Sequence, residues 1–489
     1  MEHLNAADWL VIALYLAGIV GLGVWFGKDQ HTTRDYFLGS RTVSWWAIGF
    51  SIVAAETSAL TVIGVPGLAF GSDLGFLQMI VGYVLARIIL AAVLVPHYFK
   101  GEIYSPYQLL ADRFGPSARR TAGGFFLLSE TLAAGVRVYV VAIPIQLMLG
   151  IPVLPAILLF VGLSLIYTYV GGVKAVIWTD AVQFVLFLAG GLYTLFYLPT
   201  LMDGGWQSMW QAAGDAGKLQ WFNPKFTLGA PFNIWMGLIG GTVMVMSSHG
   251  AEQLIVQRVL ACKTVGDGRR ALILSAALVF PLFLIFLLVG AFLWVYYQVQ
   301  PMAIPLPEAQ PGIQANDFVY PIFMLTEVPH VLRGFLIVAL LAAAMSSVSS
   351  ALNALASVST MDFLKAALPG RSESAYLKFS KVSTLVWAAL LILVAYLSRN
   401  VVFVLDAAFS LRGLTSGALL GAVLMAVVLR HGSPRPIVIG MLTALAAMIL
   451  VKTQTAVFWP WYTLIGSSIC LAVTLAFRRW WPQPPTRFP

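Results

Sequence analysis

Serine hydroxyls in one apolar stretch of this 489-residue chain could bind a cation. Residues 342–351 read AAAMSSVSSA, so that Ser346, Ser349 and Ser350 share one face of a helix, with Ser347 beside them. Neutral hydroxyl and carbonyl oxygens are suitable ligands for a hard cation such as sodium. Small polar residues of this kind also pack helices closely together, and more often do so, which leaves both interpretations open.

Two further polar stretches lie in the middle of segments that are otherwise apolar. Residues 54–58 read AAETS and residues 247–252 read SSHGAE. Backbone freed by a helix break is tolerated at membrane depth only where it lines a cavity or binds a ligand. The alternative for residues 54–58 is a packed helix in which Thr57 and Ser58 bond back to the preceding turn. Glu56 argues against it, because a carboxylate at the bilayer centre costs roughly 2.5 to 3.5 kcal/mol on insertion scales and usually marks an ion or solute path.

The composition places these stretches in a membrane protein. Hydrophobic residues make up 60% of the chain and charged residues 10%, with a mean hydropathy of +0.86, whereas soluble domains have about 45 to 50% and 25%. A transmembrane barrel is excluded, because its strands would alternate in polarity over about 10 residues. The net charge of +9 is scattered over short loops, which disfavours a nucleic-acid partner. Two distant cysteines form neither a disulfide framework nor a zinc motif.

The apolar stretches predict an all-α polytopic membrane protein with 13 transmembrane helices. Their approximate bounds are 7–27, 44–72, 75–99, 121–148, 152–172, 176–200, 231–257, 271–298, 332–361, 380–398, 401–429, 436–453 and 456–477. Most of the 29 Lys and Arg residues fall in one set of alternate loops. The positive-inside rule therefore predicts an outer amino terminus and a cytoplasmic carboxyl terminus in the plasma (inner) membrane.

The two interrupted stretches lie in the second and seventh predicted helices, five spans apart. Because five is odd, a five-helix unit would be followed by a copy of opposite orientation. This inverted-repeat arrangement is common in secondary transporters, whose binding sites lie near the bilayer midplane. The sequence thus favours a transporter that works by alternating access.

Four motifs together resemble the sodium:solute symporter family, whose members transport glucose, galactose, proline, sialic acid and monocarboxylates. They are GGVKAVIWTD at 171–180, the serine run at 342–351, Gln257-Arg258 after the second break, and DYFLG at 35–39. The resemblance covers nearly the whole chain and implies one transmembrane transporter domain, 1–489, with a LeuT-like 5+5 inverted-repeat core. The halves would span about 44–200 and 231–429, after an extra first helix at 7–27. Two extra helices at about 436–477 and a short cytoplasmic tail at 478–489 would follow.

The resemblance also implies a main sodium site. Its ligands would be the backbone carbonyls of Ala54, Thr57 and Ala343 and the hydroxyls of Ser346 and Ser347. The residues found at these positions are all compatible with that role. Sodium would be the coupling ion, with no other cofactor and no enzymatic activity.

A second sodium site is implied by those family members that hold an additional ion. Asp180 would bind it together with Ser346, Ser349 and Ser350. The alternative for Asp180 is an ion pair or a helix-end contact near the cytoplasmic face, beside Lys174.

Solute specificity is expected to depend on the broken segments and the spans that face them. The candidate contacts are Glu56, Ser58, Thr61, Gln78, Arg137, Ser248 and His249. Arg137 offers a bidentate fork for a carboxylate and Glu56 could receive an amine, which favours a carboxylate or an amino acid. A sugar is the second choice, because sugar sites rely on amides and aromatic platforms. The sequence departs here from the sialate and sugar transporters of the family. Arg137 lies one helical turn beyond the position that aligns with their sialate-binding arginine, and Glu56 lies where those members have a neutral residue.

Structural roles compete with these assignments. Arg137 could join Glu130 and Arg87 in a structural chain, and His249 could be a satisfied bundle histidine. A proton-coupled carrier using Glu56 and a membrane sensory domain are the remaining alternatives. The partners expected from the sequence are sodium, a small organic solute and the lipid bilayer, without nucleic acid or an obligate protein partner.

Overall fold

The computed structural model describes residues 4–28, 30–101, 103–308, 314–398, 402–429 and 431–481, and for residues 402–412 it describes the helix without side chains. The helices are α1 (Ala6–Phe26), α2 (Thr33–Leu38), α3 (Trp45–Glu56), α4 (Ala59–Gly71), α5 (Leu77–Val93), α6 (Val95–Tyr98), α7 (Pro106–Phe114), α8 (Pro116–Leu149), α9 (Val153–Tyr197), α10 (Gly205–Asp215), α11 (Thr242–Gly250), α12 (Gln253–Leu260), α13 (Val265–Val299), α14 (Val319–Thr326), α15 (Leu332–Ser357), α16 (Lys365–Ala367), α17 (Glu373–Ser398), α18 (Val402–Val428), α19 (Pro434–Gln454) and α20 (Tyr462–Arg478). Two π-helical segments, Met236–Gly241 and Val358–Leu364, precede α11 and follow α15. The described ranges contain no β-strand, which agrees with the all-α prediction.

Eight of the described helices are long and apolar enough to cross a bilayer, or nine if α3 and α4 form one bent span. This number is lower than the 13 predicted spans for three reasons: several of those spans are divided into shorter helices, α9 covers two of them, and only residues 413–428 of α18 enter the count. Of the predicted tail 478–489, residues 482–489 lie outside the described residues.

The first predicted helix break is confirmed. Helix α3 ends at Glu56, α4 begins at Ala59, and their axes differ by 60°. The last helical backbone bond of α3 runs from Thr57 N to Val53 O at 2.9 Å. The carbonyls beyond Val53 therefore lie in the terminal turn, where helices leave carbonyl oxygens free for other partners.

The second predicted break is also present, between α11, which ends at Gly250, and α12, which begins at Gln253. The Tyr98 hydroxyl donates a hydrogen bond to the Gly250 carbonyl, so α6 supplies a partner for the interrupted helix end. Both breaks thus lie within the polar stretches that predicted them.

The double glycine at 171–172 turns the long helix α9 between its two predicted spans. Gly172 has φ 53° and ψ −149°, a backbone conformation that residues with a Cβ rarely adopt. A Cβ there would lie 2.3 Å from the Tyr36 carbonyl oxygen, so the missing side chain also lets α9 approach α2. This explains why the motif needs glycine.

Helix α15 lies at the centre of the bundle. It packs against α9, α8, α3 and α4, and nearly all of its side chains are buried. Helix α1 is peripheral, with exposed Leu10, Leu14 and Trp25, as expected for a helix that faces lipid. The serine run is therefore held among several helices and does not face lipid.

Candidate functional site

A cavity of about 650 Å³ lies between the two helix breaks. Its volume is within the range of about 300 to 1,000 Å³ that is usual for small-molecule sites. The cavity brings together five of the predicted solute contacts, namely Glu56, Ser58, Arg137, Ser248 and His249. Its remaining wall is mostly apolar and includes Tyr83, Trp459 and Tyr462.

Glu56 has an ion partner other than the one that the sequence suggested. The Arg87 guanidinium, which is fully buried behind the cavity wall, donates a hydrogen bond to Glu56 Oε2. Arg87 also donates to the Tyr83 carbonyl at 2.9 Å and to Ser275 Oγ at 3.2 Å. The charge of Glu56 is therefore compensated by the protein itself, although 15% of its side chain remains exposed to the cavity.

His249 extends this network along the wall. Its Nε2 lies 3.1 Å from Arg87 Nη2, and because a guanidinium only donates, Nε2 must be the acceptor. The proton is then on Nδ1, which faces Ser248 Oγ at 2.9 Å. His249 has the protein partners of a satisfied bundle histidine and at the same time lines the cavity.

Arg137 lies on α8 across the cavity, with Nη2 at 3.8 Å from Glu130 Oε1. The structural chain expected from the sequence is thus divided: Arg137 approaches Glu130, whereas Arg87 pairs with Glu56. Arg137 and Ser58 also border a second, much smaller cavity, together with Ser347. The larger cavity and the smaller one, which Ser347 borders, therefore share Arg137 and Ser58 as lining residues.

Two predicted solute contacts lie elsewhere. Gln78 is buried at the start of α5, where its Nε2 donates to the Gly75 carbonyl at 3.0 Å and its Oε1 accepts from Asn223 N at 2.9 Å. These bonds fasten the loop that contains Asn223, and neither Gln78 nor Thr61 borders the described cavity. The amide that the sequence offered for a sugar hydroxyl is therefore already used.

The predicted ligands of the main sodium site lie on the first break and on α15, which packs against both α3 and α4. The side chain of Thr57 is fully buried, and its Oγ1 has no hydrogen-bond partner within the described part of the chain. Ser347 Oγ donates to the Ala343 carbonyl at 3.2 Å, so its lone pairs remain available to a cation. Ser346 is different, because its hydroxyl donates to Asp180 Oδ1 at 2.6 Å.

Asp180 is the centre of a fully buried polar network. Its Oδ2 accepts from Ser51 Oγ at 2.6 Å and from Arg258 Nη2 at 2.8 Å. Arg258 also donates to Ser51 Oγ at 2.8 Å and to Ser350 Oγ. Asp180 therefore joins α3, α9, α12 and α15, and it forms an ion pair with Arg258, on a different helix from the neighbouring Lys174.

Arg87 and Arg258 are the site residues that sequence reasoning missed. Arg258 follows the predicted span 231–257 in the sequence, but it lies within α12 and is only 2% exposed. Its position directly after the second break was the available signal. For Arg87 the signal was an arginine inside a predicted span, which requires an anionic or carbonyl partner.

Comparison with known proteins gives a consistent result. The family model described as "Sodium:solute symporter family" matches residues 36–444. The sodium/sialic acid symporter of Proteus mirabilis is 29% identical over 96% of this chain and 94% of its own length. The corresponding symporter of Aliivibrio fischeri is 27% identical over 96% and 93%. The human sodium/iodide cotransporter is 27% identical over 93% and 71%.

A solved structure, described as the substrate-bound outward-open state of a Na⁺-coupled sialic acid symporter, has a TM-score of 0.90 and 26% identity, and covers 99% of this chain and 100% of its own. The nucleobase-cation-symport-1 transporter Mhp1, in a closed conformation, is similar in fold alone, with a TM-score of 0.58 and 15% identity over 91% and 93% of the two chains.

Proposed function

The chain belongs to the sodium:solute symporter family, and from this premise we propose that its solute is a small organic carboxylate, with hydroxylated acids of the sialic acid class as the first candidates. Members of this family are transporters and not enzymes. The chain is accordingly a membrane protein with several apolar spans that couples sodium to the movement of a solute. Sodium is the coupling ion.

The observation that carries the solute proposal is Arg137, whose guanidinium borders a largely apolar cavity of suitable size. In such surroundings a planar guanidinium favours a carboxylate, which it can bind through two parallel hydrogen bonds. Two relatives that cover nearly the whole chain are named as sialic acid symporters, which supports an acidic solute.

The Glu56 and Arg87 pair favours a hydroxylated acid over an amino acid. A substrate ammonium next to Glu56 would also lie close to the Arg87 guanidinium, so the attraction and the repulsion largely offset each other. A hydroxyl or amide N–H carries no net charge and can donate to the exposed part of the Glu56 carboxylate without this repulsion. We therefore assign Glu56, Ser58, Ser248 and His249 to polar groups of the solute and Arg137 to its carboxylate.

The other functions suggested by the sequence have less support. A proton as coupling ion is not needed to balance Glu56, because Arg87 already does so. A neutral sugar has no carboxylate for the Arg137 guanidinium, and the Gln78 amide already has protein partners. A sensory role is disfavoured by relatives that are named as transporters over nearly the full length of this chain.

Thermal unfolding of the purified protein tests the solute class, since a ligand that binds only the folded state raises the unfolding temperature. We expect sialic acid with sodium to stabilise the protein, and the methyl ester of sialic acid, which lacks the charge, to have little effect. Proline and glucose serve as the amino-acid and neutral-sugar controls. Equal stabilisation by the acid and its ester, or stabilisation by glucose alone, would contradict the assignment of Arg137.

For the main sodium site we propose the carbonyls of Ala54, Thr57 and Ala343 with the hydroxyls of Ser346 and Ser347. A sodium ion at this place would hold the broken helix against α15 and so fix the cavity wall formed by Ser58. Ion and solute would then lower each other's free energy of binding. The membrane potential adds about 2.3 kcal/mol per charge for every 100 mV.

A second sodium site is proposed at Asp180 with Ser346, Ser349 and Ser350. The support is the buried Asp180 carboxylate, which accepts hydrogen bonds from side chains of several helices. A sodium ion bound there would take the place of some of these donors. Arg258 supplies the compensating positive charge when sodium is absent, because its guanidinium reaches both Asp180 and Ser350.

Sodium activation curves test the second site. At saturating solute we expect a Hill coefficient above one for the wild type, and a decrease toward one for Asp180→Asn and for Ser349→Ala. Ser349→Ala removes a single hydroxyl and leaves the Arg258 ion pair intact, so it controls for misfolding of the charge variant. A wild-type coefficient of one would count against a second ion.

We also propose the remaining architecture on the basis of the sequence. It comprises a single domain with 13 spans, a LeuT-like 5+5 inverted-repeat core at about 44–200 and 231–429, and an outer amino terminus with a cytoplasmic carboxyl terminus in the plasma (inner) membrane. The support is the pair of breaks in α3/α4 and α11/α12 and the uneven distribution of basic residues between loops.

A further inference from the structure

A continuous polar stripe runs along α15 and leads away from the proposed sodium sites. We call it the α15 seam, and it consists of Ser346, Ser349, Ser350, Asn353, Ser357 and Thr360. These residues recur every three or four positions, so they share one face of the helix, and each is at most 3% exposed. At a rise of 1.5 Å per residue the seam is about 20 Å long. This length is close to half the thickness of a bilayer with its headgroup regions, which is about 40 to 45 Å in total.

Several oxygens along the seam have no hydrogen-bond partner among the described residues. They are Asn353 Oδ1, Thr360 Oγ1 and, from the facing helix α12, Gln253 Oε1. Gln253 is positioned against the seam because its Nε2 donates to Ser357 Oγ at 3.0 Å. Leaving a buried polar group unpaired costs about 1 to 3 kcal/mol, so these three oxygens in one interface are available to a donor or a cation.

Each end of the seam has a charged group. At the upper end, Ser346 and Ser350 contact Asp180 and Arg258. Near the lower end, Asp362 Oδ1 accepts from Ser105 Oγ at 2.8 Å and from Arg119 Nε at 2.7 Å. Asp362 Oδ2 is buried and has no partner within the described ranges. In the proposed orientation this end faces the cytoplasm.

The backbone changes from α to π geometry in the lower part of the seam, at Val358–Leu364. Single-turn π segments occur mostly within α-helices and often at functional sites, since they leave some backbone groups without the usual helical partners. Thr360 and Asp362 both lie within this segment. The same stretch therefore combines the unpaired side chains with an irregular backbone.

We propose that the α15 seam is the route by which sodium leaves its binding site toward the cytoplasm. This inference rests on the sodium sites proposed above. An ion that loses Ser346 and Asp180 needs replacement oxygens before it reaches water, because a bare charge in a low-dielectric interior is very unfavourable. Asn353, Gln253 and Thr360 offer neutral oxygens in succession, which bind sodium weakly enough to release it, and Asp362 offers a final carboxylate oxygen.

The test compares two transport modes in proteoliposomes, using the double variant Asn353→Leu/Thr360→Val. Net uptake into sodium-free vesicles requires sodium to be released inside, whereas solute exchange with equal sodium on both sides requires no net sodium passage. We expect net uptake to fall about tenfold, since two of the neutral oxygens that would coordinate the ion along the route are lost. Exchange and sodium-dependent thermal stabilisation should stay close to the wild type.

Ser359→Ala is the matched control, because Ser359 neighbours Thr360 but faces α17, where its Oγ accepts from Trp387 Nε1 at 2.8 Å. The control should retain net uptake. If the double variant unfolds, Thr360→Val alone replaces it with a nearly isosteric side chain. Unchanged net uptake, or an equal loss of uptake, exchange and sodium stabilisation, would overturn the proposal. A wild type without sodium-dependent stabilisation would instead refute the sodium sites themselves.

Discussion

Replacing Arg137 with glutamine is expected to lower uptake of an anionic solute by about 100-fold, because truncating one partner of a buried charge pair costs roughly 2 to 5 kcal/mol. Sodium-dependent thermal stabilisation should persist, since Arg137 is not among the proposed sodium ligands. Radiolabelled solute uptake and thermal unfolding with and without sodium measure the two effects separately.

The control for this substitution is Glu130→Gln, because Glu130 Oε1 lies 3.8 Å from Arg137 and could depend on it for charge compensation. If Arg137 binds the solute, Glu130→Gln should retain most of the uptake, and the double variant should be as inactive as Arg137→Gln. Restoration of folding or uptake in the double variant would mean that the pair is structural, and the carboxylate proposal would fail.

Replacing both Ser346 and Ser347 with alanine is expected to raise the sodium concentration needed for half-maximal uptake by about 30-fold, which corresponds to about 2 kcal/mol of lost ligand interactions. The substitutions remove two hydroxyls and little volume, so the bundle should still assemble. Uptake measured against sodium concentration, at saturating solute, gives the shift.

Ser164→Ala provides a matched control. Ser164 is also fully buried and its Oγ lies 3.3 Å from the Met345 carbonyl on α15, but it is outside the proposed ligand set. Its main bond is to the Phe160 carbonyl of its own helix at 2.6 Å, so little should change. The single variant Ser347→Ala removes one proposed ion ligand and leaves Ser346, whose hydroxyl donates to Asp180, in place. A double variant with unaltered sodium dependence would refute the main site.

Much of the fold was predictable from local sequence alone. Long apolar runs predict helices because a backbone in lipid must satisfy its own hydrogen bonds. The breaks at 54–58 and 247–252 were predictable for the same reason, since polar and small residues at that depth are unfavourable in a regular lipid-facing helix. The number of spans is harder to derive from single helices, because α9 contains two predicted spans that meet at the non-helical Gly172.

The candidate site was predictable only in part. Hydroxyl positions on α15 follow from helical periodicity, and Arg137 was expected to face the solute because a charge within a span needs a partner. The hydrogen bond from Asn223 N to Gln78 had no local signal, since the two residues are 145 positions apart in the sequence.

What the sequence by itself determined is therefore which residue types lie at membrane depth and on which helical face, because both depend on spacing within one segment. Only the tertiary structure decided which charge compensates which. Glu56 and Arg87 are 31 positions apart and Asp180 and Arg258 are 78 positions apart. Such pairs form between helices that come into contact only in the folded bundle, where each buried charge requires a partner. Helical periodicity within one segment does not indicate which helices will be in contact.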